Sequence, residues 1–260
     1  MRSPRTAALV LLIVALVSTG ACSSTDAAPA PDRAAAGAPA VVASTSWVGA
    51  LAKAAGAAEV TLIAPANVQH PPDYDPKPSD LAAVNGARYV LYAEFDGFAA
   101  KIREAAGGGA KLEPVKLENT PAAIRAEVTR LGALFGTADR ASAWLSTFDS
   151  DHASISTALR ARIGTPAPPA VAHVFMAYWA EFAGLPVVGT YGPQPVTASQ
   201  LAALSAKKPK LVLGNGHLAG ADPDVPGAAS AGIKNFPDTD LDLTAVFRSN
   251  AERIAVALGK

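Results

Sequence analysis

Short apolar, β-branched runs recur along the chain at 40–43, 60–63, 89–92, 114–117, 170–175, 186–188 and 210–213. Most are separated by stretches with apolar residues at helical spacing, among them 47–57, 80–85 and 197–206. Strands that alternate with helices predict parallel sheets with helices packed on them. The middle of the chain breaks the alternation. Thr120-Pro121 opens a helix with Pro at its first position, and Ile124, Val128, Leu131, Leu134 and Phe135 give it one apolar face. Gly136-Thr137 interrupts. Residues 138–163 then read as a single helix with Ala141, Trp144, Leu145, Phe148, Ile155, Leu159 and Ile163 along one stripe. At 1.5 Å per residue it spans about 39 Å. Thr165-Pro166-Ala167-Pro168-Pro169 ends it. The expected fold class is α/β: two small lobes with parallel sheets joined by one long linking helix. The expected divisions are a lobe over 40–118, a helical segment over 119–165 and a second lobe over 166–260.

The N-terminus has a different pattern. Arg2 and Arg5 precede an apolar stretch, 7–17, too short to span a bilayer as a mature helix. Gly20-Ala21-Cys22 follows it and resembles the lipobox of bacterial lipoproteins. That resemblance implies a signal peptide over 1–22, cleavage before Cys22 and a lipid on its sulfur. Cys22 is the only cysteine, so no intrachain disulfide forms. Residues 23–39, rich in Ala and Pro, read as a flexible tether. Lys plus Arg equal Asp plus Glu at 22 each, and no basic stripe stands out, which argues against a nucleic-acid partner. No second segment is long and apolar enough to cross a membrane.

Candidate chemistry centres on histidine, of which there are four. His70 follows the run at 60–63 and lies in a loop stiffened by Pro71, Pro72, Pro76 and Pro78. In open α/β sheets, ligands bind just past the carboxyl ends of strands. His217 has a similar place, in Gly214-Asn215-Gly216-His217 after the run at 210–213. His173 lies within an apolar run, and His152 reads as part of the solvated face of the long helix.

These segments resemble those of the cluster A-I solute-binding proteins of ABC transporters, which deliver zinc or manganese. His70 with Tyr74-Asp75-Pro76-Lys77-Pro78-Ser79-Asp80 is similar to that family's His-x-Tyr-x-Pro-x-Pro-Ser-Asp segment, with two extra residues after the His. His173 with Tyr178 and Gly184-Leu185 is similar to a second segment whose His binds the metal. Val41 to Trp47 resembles the first strand and helix start, and the likeness covers most of 40–260.

The resemblance implies a cleft site for Zn²⁺ or Mn²⁺ with ligands from both lobes, small closure movements, an ABC permease as partner, anchoring through Cys22, and a monomer without enzymatic activity. His70 and His173 are the expected ligands, with His217 as a third. Glu94 is the leading carboxylate, ahead of Asp96, Asp238, Asp240 and Glu118. Two departures stand out. The family's second first-lobe His is absent from Leu117-Glu118-Asn119-Thr120-Pro121, and its late acidic ligand has no clear counterpart. A receptor for a chelated ligand, such as a siderophore or cobalamin, is the alternative; Trp47, Tyr74, Tyr178 and Trp179 are available to line its cleft. A zinc hydrolase is disfavoured, because no His-Glu-x-x-His motif occurs. A metal-free structural or adhesive lipoprotein is the remaining class.

Overall fold

The computed structural model describes residues 38–260 apart from 219 and 221. The expected signal peptide, Cys22 and most of the tether lie outside the described residues. The first lobe contains β1 (Ala40–Ala43), α1 (Ser46–Ala54), β2 (Glu59–Leu62), α2 (Pro78–Leu81), β3 (Tyr89–Tyr92), α3 (Ala99–Ala106) and β4 (Lys111–Pro114). Then come α4 (Pro121–Phe135) and α5 (Ala138–Ile163). The second lobe contains β5 (Ala170–His173), α6 (Ala177–Ala183), β6 (Val187–Tyr191), α7 (Ala198–Ala206), β7 (Leu211–Asn215), β8 (Ala229–Ile233) and α8 (Leu243–Ala257).

Each lobe is built on a four-stranded sheet, ordered β2-β1-β3-β4 in the first and β6-β5-β7-β8 in the second, with every pairing parallel. The α/β, two-lobe expectation therefore holds. Both sheets reverse winding direction beside their first strand. Such a switch point opens a crevice at the carboxyl ends of the strands. It lies between β1 and β3 in one lobe and between β5 and β7 in the other.

The joint between the lobes follows from local chemistry. Thr120 caps α4 by accepting from the Ala123 amide at 3.3 Å, and Pro121 stands at its first position. Gly136, at φ 74°, ends α4 in the left-handed region that glycine tolerates best. The chain reverses there, and α5 packs back on α4. Gly132 allows the approach, since a Cβ at that position would come within 2.5 Å of the Ala141 Cβ. One apolar core then runs from Val41, Leu51 and Leu91 through Phe135, Phe148 and Leu159 to Trp179, Leu213 and Phe247. Trp179 and Phe247 rings lie 4.8 Å apart, and Phe148 and Phe247 5.5 Å.

Several sequence expectations shift. The strand expected at 114–117 forms three residues earlier, at Lys111–Pro114. The strand expected over 170–175 stops at His173, where the chain turns into a short 3₁₀ segment. His152 is not on a solvated face: its ring lies 5.0 Å from Phe247 and 5.1 Å from Phe182, and burial lowers its pKa. The reason is α8, which packs along α5 and was not anticipated from its sequence. None of the described helices is long and apolar enough to cross a membrane.

Candidate functional site

The carboxyl ends of both sheets face a shared cleft of about 750 Å³. Trp47 follows β1, His70 and Asp73 follow β2, Phe95 follows β3, and Glu118 follows β4. From the second lobe come Phe175 after β5, His217 after β7, and Asn235 and Phe236 after β8. The parallel topology therefore delivers the lining, one loop from each strand end except that of β6.

Of the residues expected to form a site, two reach this cleft. His70 is about a third exposed, with Nδ1 2.8 Å from Asp73 Oδ2. That nitrogen is buried and out of line for a hydrogen bond. His217 is 8% exposed and fully engaged. Its Nε2 accepts the Asn235 amide at 2.9 Å, so the proton is on Nδ1, which lies 3.1 Å from the Gln69 carbonyl of the opposite lobe. Burial drops its pKa to about 4, which keeps the ring neutral. Gln69 returns the contact by donating its side-chain amide to the Gly216 carbonyl at 2.8 Å. His217 thus clasps the lobes together.

The other expected residues are elsewhere. His173 is 1% exposed and lines a separate hollow of about 310 Å³ with Gly192, Pro193 and Asp222. Its Nδ1 accepts the Phe175 amide at 3.2 Å, and its ring meets Tyr191 edge-on at 5.5 Å. Strand parity explains this. Side chains alternate along β5, so His173 shares the face of Val171, beside Tyr191, whereas Ala170 and Ala172 face the main core. Glu94 is on the outer surface, 3.4 Å from Arg103 and accepting from Tyr92 at 3.2 Å. Asp96 is buried and accepts the Ala93 amide at 2.9 Å; burial raises its pKa. Asp238 and Asp240 are exposed in the loop before α8. Only Glu118, among the secondary carboxylates, lines the cleft.

The two segments that depart from the expected motif meet at the cleft floor. Asn119 donates to the Asn235 carbonyl at 3.1 Å across the lobes. Asn235 Oδ1 accepts from Tyr178 at 2.8 Å and from Trp179 Nε1 at 3.0 Å. Burial raises the Tyr178 pKa strongly, so its hydroxyl remains a donor. Trp47 packs on Phe236 at 5.4 Å and closes one wall. Sequence reading missed Gln69, Asn119, Asn235 and Phe236 as site residues. Asn119 did lie in the 117–121 segment that lacked the expected histidine; Asn235 had no comparable signal.

Residues 41–139 match the family model described as zinc-uptake complex component A, periplasmic. Over that stretch, under half of its length, the chain is similar to ZnuA. Solved structures agree on the fold. A ZnuA structure is 20% identical at a TM-score of 0.61, covering 84% of this chain and 98% of that one. The manganese complex of FpvC from Pseudomonas aeruginosa is 15% identical at 0.63, covering 85% and 98%. The laminin-binding protein Lmb of Streptococcus agalactiae, a bifunctional protein with adhesin and metal-transporting activity, is 16% identical at 0.62, covering 85% and 99%. No curated protein sequence matches. The likeness is to binding proteins, not enzymes.

Against that likeness, the donor set of this cleft is sparse. Among the described residues, no group of three or more His, Cys, Asp or Glu side chains is arranged to hold an ion. His217 has both nitrogens committed, and positions 119 and 235 carry neutral amides. A complete tetrahedral protein shell for zinc is not assembled here.

Proposed function

We propose that the chain is an extracytoplasmic binding protein that takes a divalent transition metal, zinc or manganese, into the cleft between its lobes and passes it to an ABC permease. It works as a monomer, held at the membrane by a lipid on Cys22. The observation that carries this reading is that His70 and His217 reach one cleft from opposite lobes. The His70 imidazole, with the carboxylates of Asp73 and Glu118 in the same cleft lining, offers donors that suit Zn²⁺ or Mn²⁺, while His217 holds the lobes around them. The solved relatives include a zinc-bound ZnuA deletion mutant and a complex with Mn²⁺. The continuous core through α4, α5 and α8 favours small closure movements over wide opening.

The test is elemental analysis of the chain purified from its membrane fraction without chelators. About one zinc or manganese per chain is expected, with a melting temperature that falls when the metal is removed. A metal-free chain whose stability ignores both ions would overturn the reading.

A second reading is favoured by the cleft wall. Trp47, Phe95, Phe175 and Phe236 make it largely aromatic, as a receptor for a chelated ligand requires.

A further inference from the structure

The cleft is too large and too short of donors for a bare ion, yet well made for an ion that brings its own ligands. We infer that the cargo enters as a cationic metal complex whose organic chelator carries a flat apolar face, with His70 filling one open coordination position. This rests on the metal-capture reading above.

Four observations carry it. The volume, about 750 Å³, is in the range of small-molecule sites, many times the ~30 Å³ share of a single water. No cluster of three or more ligating side chains exists among the described residues, so an ion held here would draw most of its donors from groups that arrive with it. The wall is aromatic, and Phe95 and Phe175 hold 56% and 55% of their surface in solvent, a cost that an apolar partner would offset. Among the described residues, the lining includes Asp73 and Glu118 but no Lys or Arg, so it attracts a cation and disfavours an anionic chelate such as a citrate complex. Trp47 and Phe236 add ring faces that attract positive charge.

Within this arrangement His70 is the one imidazole free to ligate. Its Nδ1 is turned toward Asp73 Oδ2, at 2.8 Å but out of line for a hydrogen bond, which leaves Nε2 for the ion. His217 and Asn235 stay hydrogen-bonded and hold the lobes in register around the ligand.

The experiment titrates the full chain with three probes: Zn²⁺ alone, 2,2′-bipyridine alone, and their one-to-one complex, which is cationic, flat and coordinatively open. The complex is expected to bind at least about tenfold more tightly than either component. Phe175→Ala, at an exposed position that does not support the core, is expected to weaken the complex about tenfold and leave Zn²⁺ unchanged; Phe95→Ala provides a second such variant. His70→Ala is expected to reduce the complex to the affinity of bipyridine alone. Zn²⁺ binding as tightly as the complex would overturn the inference while leaving metal capture standing. Bipyridine binding as tightly as its complex would also overturn it. Binding of neither Zn²⁺ nor the complex would sink metal capture itself.

Discussion

The cleft and the hollow behind β5 each contain one histidine from the second lobe, and the two differ in what surrounds them. His217 and His173 belong to the loops or ends of neighbouring parallel strands. His217 stands two residues past the end of β7, in a turn that carries it across to Gln69 of the first lobe. His173 is still within its strand, so the alternation of β5 dictates its direction and sends it to the hollow beside Gly192 and Asp222. A histidine at a strand end therefore reaches the cleft only if the backbone has left the sheet, because inside the sheet parity decides which face it serves.

The sharpest way to break this comparison is His217→Ala. It strips a partner from the buried Asn235 amide and from the Gln69 carbonyl and opens space beside Phe236. A loss of about 3 kcal/mol is expected in urea unfolding, together with loss of cleft binding. Retained binding at full strength would mean that the clasp is irrelevant to the ligand.

Acid should act on the same ring. The folded pKa of His217, about 4, lies below the ordinary value of about 6.5. The unfolded chain therefore takes up the proton first. Its contribution is complete above about pH 6.5 and is lost as pH falls toward 4, by up to ~3 kcal/mol. His152 and His173, whose pKa values are also lowered by burial, add in the same direction. Unfolding midpoints followed from pH 7 to 4.5 should fall, and fall less in His217→Ala. An equal slope in both proteins would assign the effect elsewhere.

His173→Ala tests the other side. Loss of packing on Tyr191 and Phe175 should cost about 1–2 kcal/mol, with cleft binding unchanged. Loss of metal in this variant alone would reverse the roles of the two histidines.

Asn119→Ala removes one hydrogen bond across the lobes and should cost about 1 kcal/mol by thermal unfolding. Smallest of all, Glu94→Gln removes the surface charge pair with Arg103 but keeps an acceptor for Tyr92, and should change stability by less than about 0.5 kcal/mol and binding not at all. A binding defect there would return Glu94 to the site.

Much of the architecture was legible from pattern. Residues 138–163 form a helix with the expected bounds, because a long amphipathic stripe between Gly136-Thr137 and a Pro-rich stop leaves few alternatives. β8 and α8 were missed for opposite reasons. β8 reads Ala-Ser-Ala-Gly-Ile, with little β-branched bulk, and is a strand only because β7 pairs with it. α8 is masked by its polar face, although Leu243, Phe247, Ala251 and Ile254 line up on the core side. At the site, His70 was readable from its proline-stiffened loop. Asn119 and Asn235 were not, since a lone asparagine carries no signature until its partner is known.

By itself, the chain's order of apolar runs, prolines and glycines determined two parallel α/β lobes, the long helix between them and a histidine-bearing loop at a strand end, because these depend on contacts close in sequence. Which histidines share a cleft, which carboxylates stay outside it, and that two amides meet where charged ligands were expected were decided only in three dimensions. Residues 116 positions apart, such as Asn119 and Asn235, become neighbours only after both sheets and the helices joining them have packed.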